Sequence, residues 1–177
     1  SYENADMPNV KRLAAEGAYT LTKRSVLPSS SAVNWASMFM GAGPEIHGYT
    51  EWGSKTPELP SRELSHYGIF PSIWGLFRDA YPNAEMGYIY EWEGMQYFVE
   101  MSAFNFTKQV SASEENPRGI TDAAVDYISS SKPAFVGIIY DRPDHEGHTF
   151  GHGSPEYYQT LAQLDRYMAE IIKAVDD

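Results

Sequence analysis

The residues from Asp141 to Gly153, "DRPDHEGHTFGHG", gather three histidines and two aspartates in thirteen positions, directly after the apolar run "PAFVGIIY". Asp144 and His148 stand four apart across "DHEGH". A carboxylate and an imidazole at that distance can reach one ion from a compact turn, and Gly147 frees the backbone to bend. These ligand types suit zinc, manganese or iron. The alternative is a solvated loop whose aspartate caps the next helix and whose histidines face water. Two ligands also fall short of the three or four protein ligands that a zinc site uses. A second cluster, "LPSSSAVNW", sets serines between a strand-like run and a helix-like run. Free N–H groups and the positive dipole end make a helix N-terminus an anion site. A serine there becomes a nucleophile if a metal lowers its pKa. The alternative is a plain N-cap serine. Taken together, a metal near one strand end and a serine at another follow the logic of metal-assisted phosphoryl or sulfuryl transfer.

Both clusters need elements to hold them. "ADMPNVKRLAAEGA" reads as a short helix, with Pro8 in its first turn and Gly17 at its end. "YTLTKRSVLP" has strand-forming residues in rough alternation, and "SSSAVNWASMFMGAG" reads as a helix opened by serines and closed by glycines. Residues 48–70, rich in Pro, Gly and Ser, form an irregular excursion. "PSIWGLFRDAY" is an amphipathic helix with Ile73, Trp74, Phe77 and Tyr81 on one side, and "AEMGYIYEW" a buried strand. Residues 93–115 are ambiguous, with room for a helix under Met95, Phe98 and Val99. "NPRGITDAAVDYISSS" is a helix with Ile120, Ala124 and Ile128 on a stripe. "PAFVGIIY" is apolar throughout and needs cover on both faces, as in a parallel sheet. "SPEYYQTLAQLDRYMAEIIKAV" closes the chain as a helix capped by Ser154, its core stripe expected at Leu161, Leu164, Met168, Ile171 and Val175. Helices alternating with strands give an α/β fold, a mostly parallel sheet sandwiched by helices. Sites in such sheets gather at the carboxyl ends of strands, where both clusters fall.

Composition narrows the partners. The chain has 177 residues, enough for one domain, a net charge of −11 and no cysteine. That charge disfavours a nucleic-acid duplex or an anionic membrane, which need a basic face. It leaves a small phosphate-bearing substrate open, because a local metal can reverse the field. Without cysteine, any metal must take His, carboxylate or hydroxyl ligands. No apolar run approaches the ~20 residues of a membrane span.

The motifs, in order, resemble the alkaline phosphatase superfamily, and within it the nucleotide pyrophosphatase/type I phosphodiesterase branch. "MPNVKRLAAEGAYT" is similar to that branch's opening helix, and "SVLPSSSAVNWASMFMGAGPEIHGY" resembles its nucleophile segment. Aligned on Pro28, Asn34 and Gly41, the nucleophile position falls on Ser31, and Asn34 falls on the asparagine that helps hold a phosphate oxygen. "YDRPDHEGHTFG" resembles the branch's P-D-x-x-G-H-x-x-G motif, which puts Asp144 and His148 on two ligands of one zinc ion. The resemblance implies a hydrolase of phosphodiester or nucleotide pyrophosphate bonds acting through a phosphoserine. It implies two divalent metal ions, zinc by type, one touching Ser31 and one held by Asp144 and His148. A small phosphate ester or nucleotide is the implied partner, with oligomeric state open. The compartment also stays open, export being common among relatives.

Some positions depart from the branch. Serine stands where threonine is usual, Val33 where proline is, and Trp35 where histidine is, which alters the pocket. A sulfatase pattern fails, because "SAVNW" has neither its Pro nor its Arg. Phosphomonoesterase, phosphomutase and sulfatase-like chemistries remain alternatives within the superfamily. A non-catalytic α/β binding module is the alternative outside it, and it requires no proximity between Ser31 and Asp144. His145 and His152 read as surface residues, His47 as a structural loop histidine, and Asp141 as support for the site. "GYTEW" and "YEWEGMQYF" read as core or as a stacking pocket for a base. The branch's Asp-Gly pair and Asp-His-Gly motif do not occur in this sequence, so residues 1–177 are expected to be one α/β domain, an N-terminal fragment of a longer metallohydrolase. With so few ligands, this chain is expected to bind zinc weakly and to turn over little p-nitrophenyl phosphodiester when zinc is added. Substantial turnover, lost in Ser31→Ala, would show that expectation wrong.

Overall fold

A computed structural model of the protein describes residues 2–111 and 116–177. Part of the ambiguous stretch 93–115 therefore lies outside the described residues. Its described portion holds two 3-10 turns, Glu93–Phe98 and Met101–Ala103, in which Met95 and Phe98 are buried.

Three short parallel strands form the centre: β1 (Met86–Tyr90), β2 (Phe106–Gln109) and β3 (Phe135–Ile139), in the order β2-β1-β3. Every residue of β1 is buried. Alternation along it explains why. Met86, Tyr88 and Tyr90 face one core, with α2 (Ser31–Met40) and α4 (Ile73–Ala80) over them. Ile89 faces the other, against Ile120, Ala123, Ala124 and Tyr127 of α5 (Gly119–Ser131). The sheet is thus covered on both faces, as the apolar strand sequences require. The Ile120–Ala124–Ile128 stripe is buried as its spacing predicts.

The first core is aromatic. Trp74 stacks on Phe135 at 4.4 Å, and Tyr88 stacks on Phe104 at 5.1 Å. Gly137 lies opposite these rings: a Cβ there would sit 2.7 Å from Trp74 and 2.8 Å from Tyr88. Arg78, in the last turn of α4, ties the layers together. It donates to the carbonyls of Ala103 at 2.7 Å, Pro82 at 2.9 Å and Ala84 at 2.8 Å, and to Asn105 Oδ1.

Two helix starts are capped from far along the chain. In α4, Ser72 accepts from Trp74 N, and the carboxylate of Glu100, 2% exposed, accepts from Ser72 N at 2.9 Å, Gly75 N at 3.2 Å and the Ser72 hydroxyl. In α1 (Pro8–Glu16) the N-cap position is Met7, which offers no side-chain acceptor. Asp165, 2% exposed on the last helix (α7, Pro155–Asp176), takes that role, accepting from Asn9 N at 3.1 Å and Val10 N at 2.8 Å.

Three expectations are corrected. The strand expected at residues 19–28 is absent: no described residue there pairs in the sheet, and Leu27 is 80% exposed. Strand propensity expresses fit to a half-buried surface, and this segment has none. The face of α4 is narrower than its pattern suggests, because Ile73 and Tyr81 are exposed while Trp74 is buried. The buried side of α7 runs through Tyr157, Thr160, Asp165, Tyr167 and Ala174, and Val175 and Met168 face outward. Of the expected stripe, Leu161, Leu164 and Ile171 are half-buried, with Ile171 packed against the second core, and Asp165 turns inward beside them to cap α1.

Behind α2, the short helix α3 (Pro44–His47) ends on a histidine that is 0% exposed. His47 Nδ1 accepts from Tyr49 N at 3.1 Å, which leaves its proton on Nε2, 2.9 Å from Ser37 Oγ of α2. Burial lowers the pKa of His47, partly offset by Glu45.

Two measurements check this packing. Gly137→Val is expected to destabilise by about 3 kcal/mol through overpacking against Trp74, read as a shift in urea midpoint. A histidine with a lowered folded pKa contributes stability above its unfolded value of ~6.5, and that contribution fades as the pH falls below it. Melting temperature is therefore expected to drop on acidification below about pH 6.5, and His47→Gln to flatten that dependence while costing about 1–3 kcal/mol at neutral pH.

Candidate functional site

The carboxyl ends of β1 and β3 open into a crevice of about 490 Å³. Ser31, Asp144 and His148 all line it. They arrive on two different helices. Ser31 is the first residue of α2, and Gly41 in left-handed conformation ends that helix, as the flanking serines and glycines suggest. Ser30, the N-cap, makes no capping bond through its side chain, and its buried Oγ has no partner among the described residues. Instead, Ala32 N in the first turn donates to Trp52 O at 3.3 Å, which draws the Trp52 loop over the helix start.

Asp144 and His148 lie on a helix, α6 (Asp144–Phe150), rather than on the compact turn expected of "DHEGH". The spacing of four then places both on one helix face. His148 Nε2 lies 3.5 Å from Asp144 Oδ2. That gap matches the edge of a tetrahedral zinc site, about 3.4 Å for bonds of ~2.0–2.1 Å. The pair therefore fits a zinc-class ion as two of its ligands. Among the described residues no group of three or more His, Asp or Glu side chains is gathered for a metal, so the pair fits as part of a site.

The loop before α6 is set by Glu91, immediately after β1. Its Oε2 accepts from Asp141 N at 2.6 Å, and its own N–H donates to Ile139 O at 3.1 Å. Burial pushes the Glu91 carboxyl up, against the pull of that Asp141 N–H. Burial, then the neighbouring Asp144, also raises Asp141, which lines the crevice itself. Glu91 carries no sequence signal for this role, since the contact depends on register between two strands.

Asn34 does not line the crevice. Its Oδ1 accepts from Val26 N at 2.9 Å and its amide donates to Ser30 O at 3.0 Å, so it braces the loop entering α2. His145 and His152 are exposed outside the crevice lining, and His47 sits behind α2. Trp35, Trp52 and Trp92 line the crevice, with Trp52 and Trp92 ring centroids 6.5 Å apart. The aromatic stretches thus divide: Trp52 and Trp92 face the crevice, while Tyr49, Tyr90 and Phe98 are core. Arg142 also lines the crevice, a placement that nothing in its local sequence signals.

Comparison with known proteins agrees with this architecture. Venom phosphodiesterase 2 of Crotalus adamanteus is 24% identical over 182 residues, 98% of this chain and 22% of that protein. The venom phosphodiesterase of Macrovipera lebetinus is 24% identical over 176 residues, 96% of this chain and 21% of that protein. The chain thus spans about a fifth of the length of these relatives. Among solved structures, phosphonoacetate hydrolase from Sinorhizobium meliloti 1021 superposes with a TM-score of 0.68 at 19% identity, covering 95% of this chain and 48% of that one. Murine ectonucleotide pyrophosphatase/phosphodiesterase 5 gives 0.67 at 17% identity, covering 97% and 48%. These structures share the fold. The sequence model of the type I phosphodiesterase/nucleotide pyrophosphatase family matches residues 1–177, and the chain belongs to that family.

Proposed function

We propose that this chain carries the nucleophile and part of the metal-binding apparatus of a hydrolase that cleaves phosphodiester or nucleotide pyrophosphate bonds. The observation that carries the reading is one crevice lined by Ser31, Asp144 and His148. Ser31 sits where the first-turn dipole of α2 favours an anion, beside the unpartnered hydroxyl of Ser30. Its Oγ loses its proton and attacks phosphorus in line, the leaving alcohol or phosphate departs on the opposite side and takes up a proton, and water then cleaves the serine–phosphorus ester, releasing a phosphate monoester and restoring the hydroxyl. Asp144 and His148 would hold one divalent ion, zinc by their donor types. Such an ion supplies Lewis-acid polarisation of a phosphoryl oxygen. Asn34 acts on this path by bracing the 26–30 loop that presents Ser31. Trp35, Trp52 and Trp92 shield the crevice from bulk water and offer apolar faces to the leaving group. No described helix is long and apolar enough to cross a membrane. Relatives named as venom enzymes favour an extracytoplasmic setting for the whole protein.

In the whole enzyme with zinc, Ser31→Ala is expected to lower turnover of p-nitrophenyl phosphodiester by at least about 10³-fold, with zinc affinity largely kept. Rate measurement beside zinc titration calorimetry checks this. A variant that retains most of its rate would remove Ser31 from the role of nucleophile.

A further inference from the structure

Arg142 is the one lysine or arginine among the residues lining the crevice, in a chain of net charge −11. Its side chain is 27% exposed, and its Nε is held 3.2 Å from Oε1 of Glu146, one turn into α6. Glu146 is itself 7% exposed. A buried carboxylate thus fixes the guanidinium by one edge. The two terminal nitrogens, Nη1 and Nη2, have no hydrogen-bond partner among the described residues. Backbone constraints on both sides reduce its freedom further: Asp141 N is bound to Glu91, and Pro143 follows.

An arginine used only to anchor α6 gains most from two parallel bonds to the carboxylate. Here the second carboxylate oxygen, Glu146 Oε2, is buried without a partner. The pair is therefore held by one ion-pair contact through Nε, and the terminal donor fork is left over. A fork of donors beside a phosphate site matches a second phosphate or other planar set of acceptor oxygens. Because Glu146 already holds the stem, little side-chain entropy remains to be lost when an anion binds.

We propose that Arg142 determines specificity, selecting substrates in which the phosphorus attacked by Ser31 bears a second phosphate, over simple diesters that carry one anionic group. This rests on the crevice being the phosphate site. The leaving group is then a phosphate, and Arg142 contacts its non-bridging oxygens. Glu146 acts as a positioning residue through Arg142.

The test uses the tryptophans that line the crevice as reporters. Quenching of their fluorescence is titrated with inorganic pyrophosphate and with methyl phosphate, in EDTA, for the 177-residue chain and its variants. The expected result is tighter binding of pyrophosphate by the parent chain. Arg142→Gln weakens pyrophosphate about tenfold and methyl phosphate less than about twofold. Arg142→Lys keeps a cation beside Glu146, guarding against loss of fold, and still weakens pyrophosphate about threefold because the fork is gone. A purely structural Arg142 would lower melting temperature while leaving the ratio of the two affinities unchanged, and that result overturns the proposal alone. A parent chain that responds to neither anion overturns the crevice as the phosphate site, and the inference with it.

Discussion

The absence of a side chain at Gly137 is the constraint on which the site rests. The rings of Trp74 and Tyr88 fill the space a Cβ would take, so β3 can approach β1 only with glycine at that point. That approach fixes the parallel register, Tyr88 opposite Gly137 and Tyr90 opposite Ile139. Register then decides the next contact. Glu91, one residue past β1, bonds the carbonyl of Ile139 with its N–H and the amide of Asp141 with its carboxylate. The chain leaving β3 is thereby aimed before α6 begins, and Asp144 and His148 inherit its direction. A slip of one residue would turn Tyr88 and Ile89 to the wrong cores and move this loop with them.

The polar contacts that fix the outer layers are also long-range. Glu100 and Asp165 are buried carboxylates that spend their acceptor capacity on the free amides of helices 25 or more residues away in sequence. Helix N-termini need such acceptors, and a carboxylate answers both the open N–H groups and the dipole. The arrangement explains how a small core tolerates buried acids. Each is bonded by backbone donors, and helix position is specified along with helix stability. For α7 the cap shares the inward side with the apolar pattern: Asp165 is fully buried while Leu161, Leu164 and Ile171 are half-buried beside it.

Legibility in the sequence followed the range of the interactions. β3 and α5 could be read because their patterns are short and each buries what its own residues dictate. The start and end of α2 could be read because serine and glycine act locally. The pairing of Asp144 with His148 could be read from spacing, although its carrier proved to be a helix. The segment 19–28 was misread because alternation shows only that a strand would fit, whereas pairing needs a partner elsewhere. Glu91, Arg142 and the division of the tryptophans between crevice and core were not legible. Each depends on register or loop closure between distant segments, such as Ala32 N to Trp52 O.

Charge poses the remaining problem. An anion approaching the crevice meets a chain with eleven surplus negative charges, and Asp141 and Asp144 stand at the crevice itself. Long-range steering therefore opposes approach, and the opposition weakens as salt screens it. Groups that can favour an anion there act within a few ångströms: the first turn of α2 and the guanidinium of Arg142. Burial first, and then repulsion from the neighbouring carboxylate of Asp144, raise the pKa of Asp141 there. A bound divalent ion would relieve that repulsion and reverse the local field in one step. The acidic surface and the acidic crevice thus have different consequences, since the first slows the encounter of any anion while the second is where a bound cation would act on the local field.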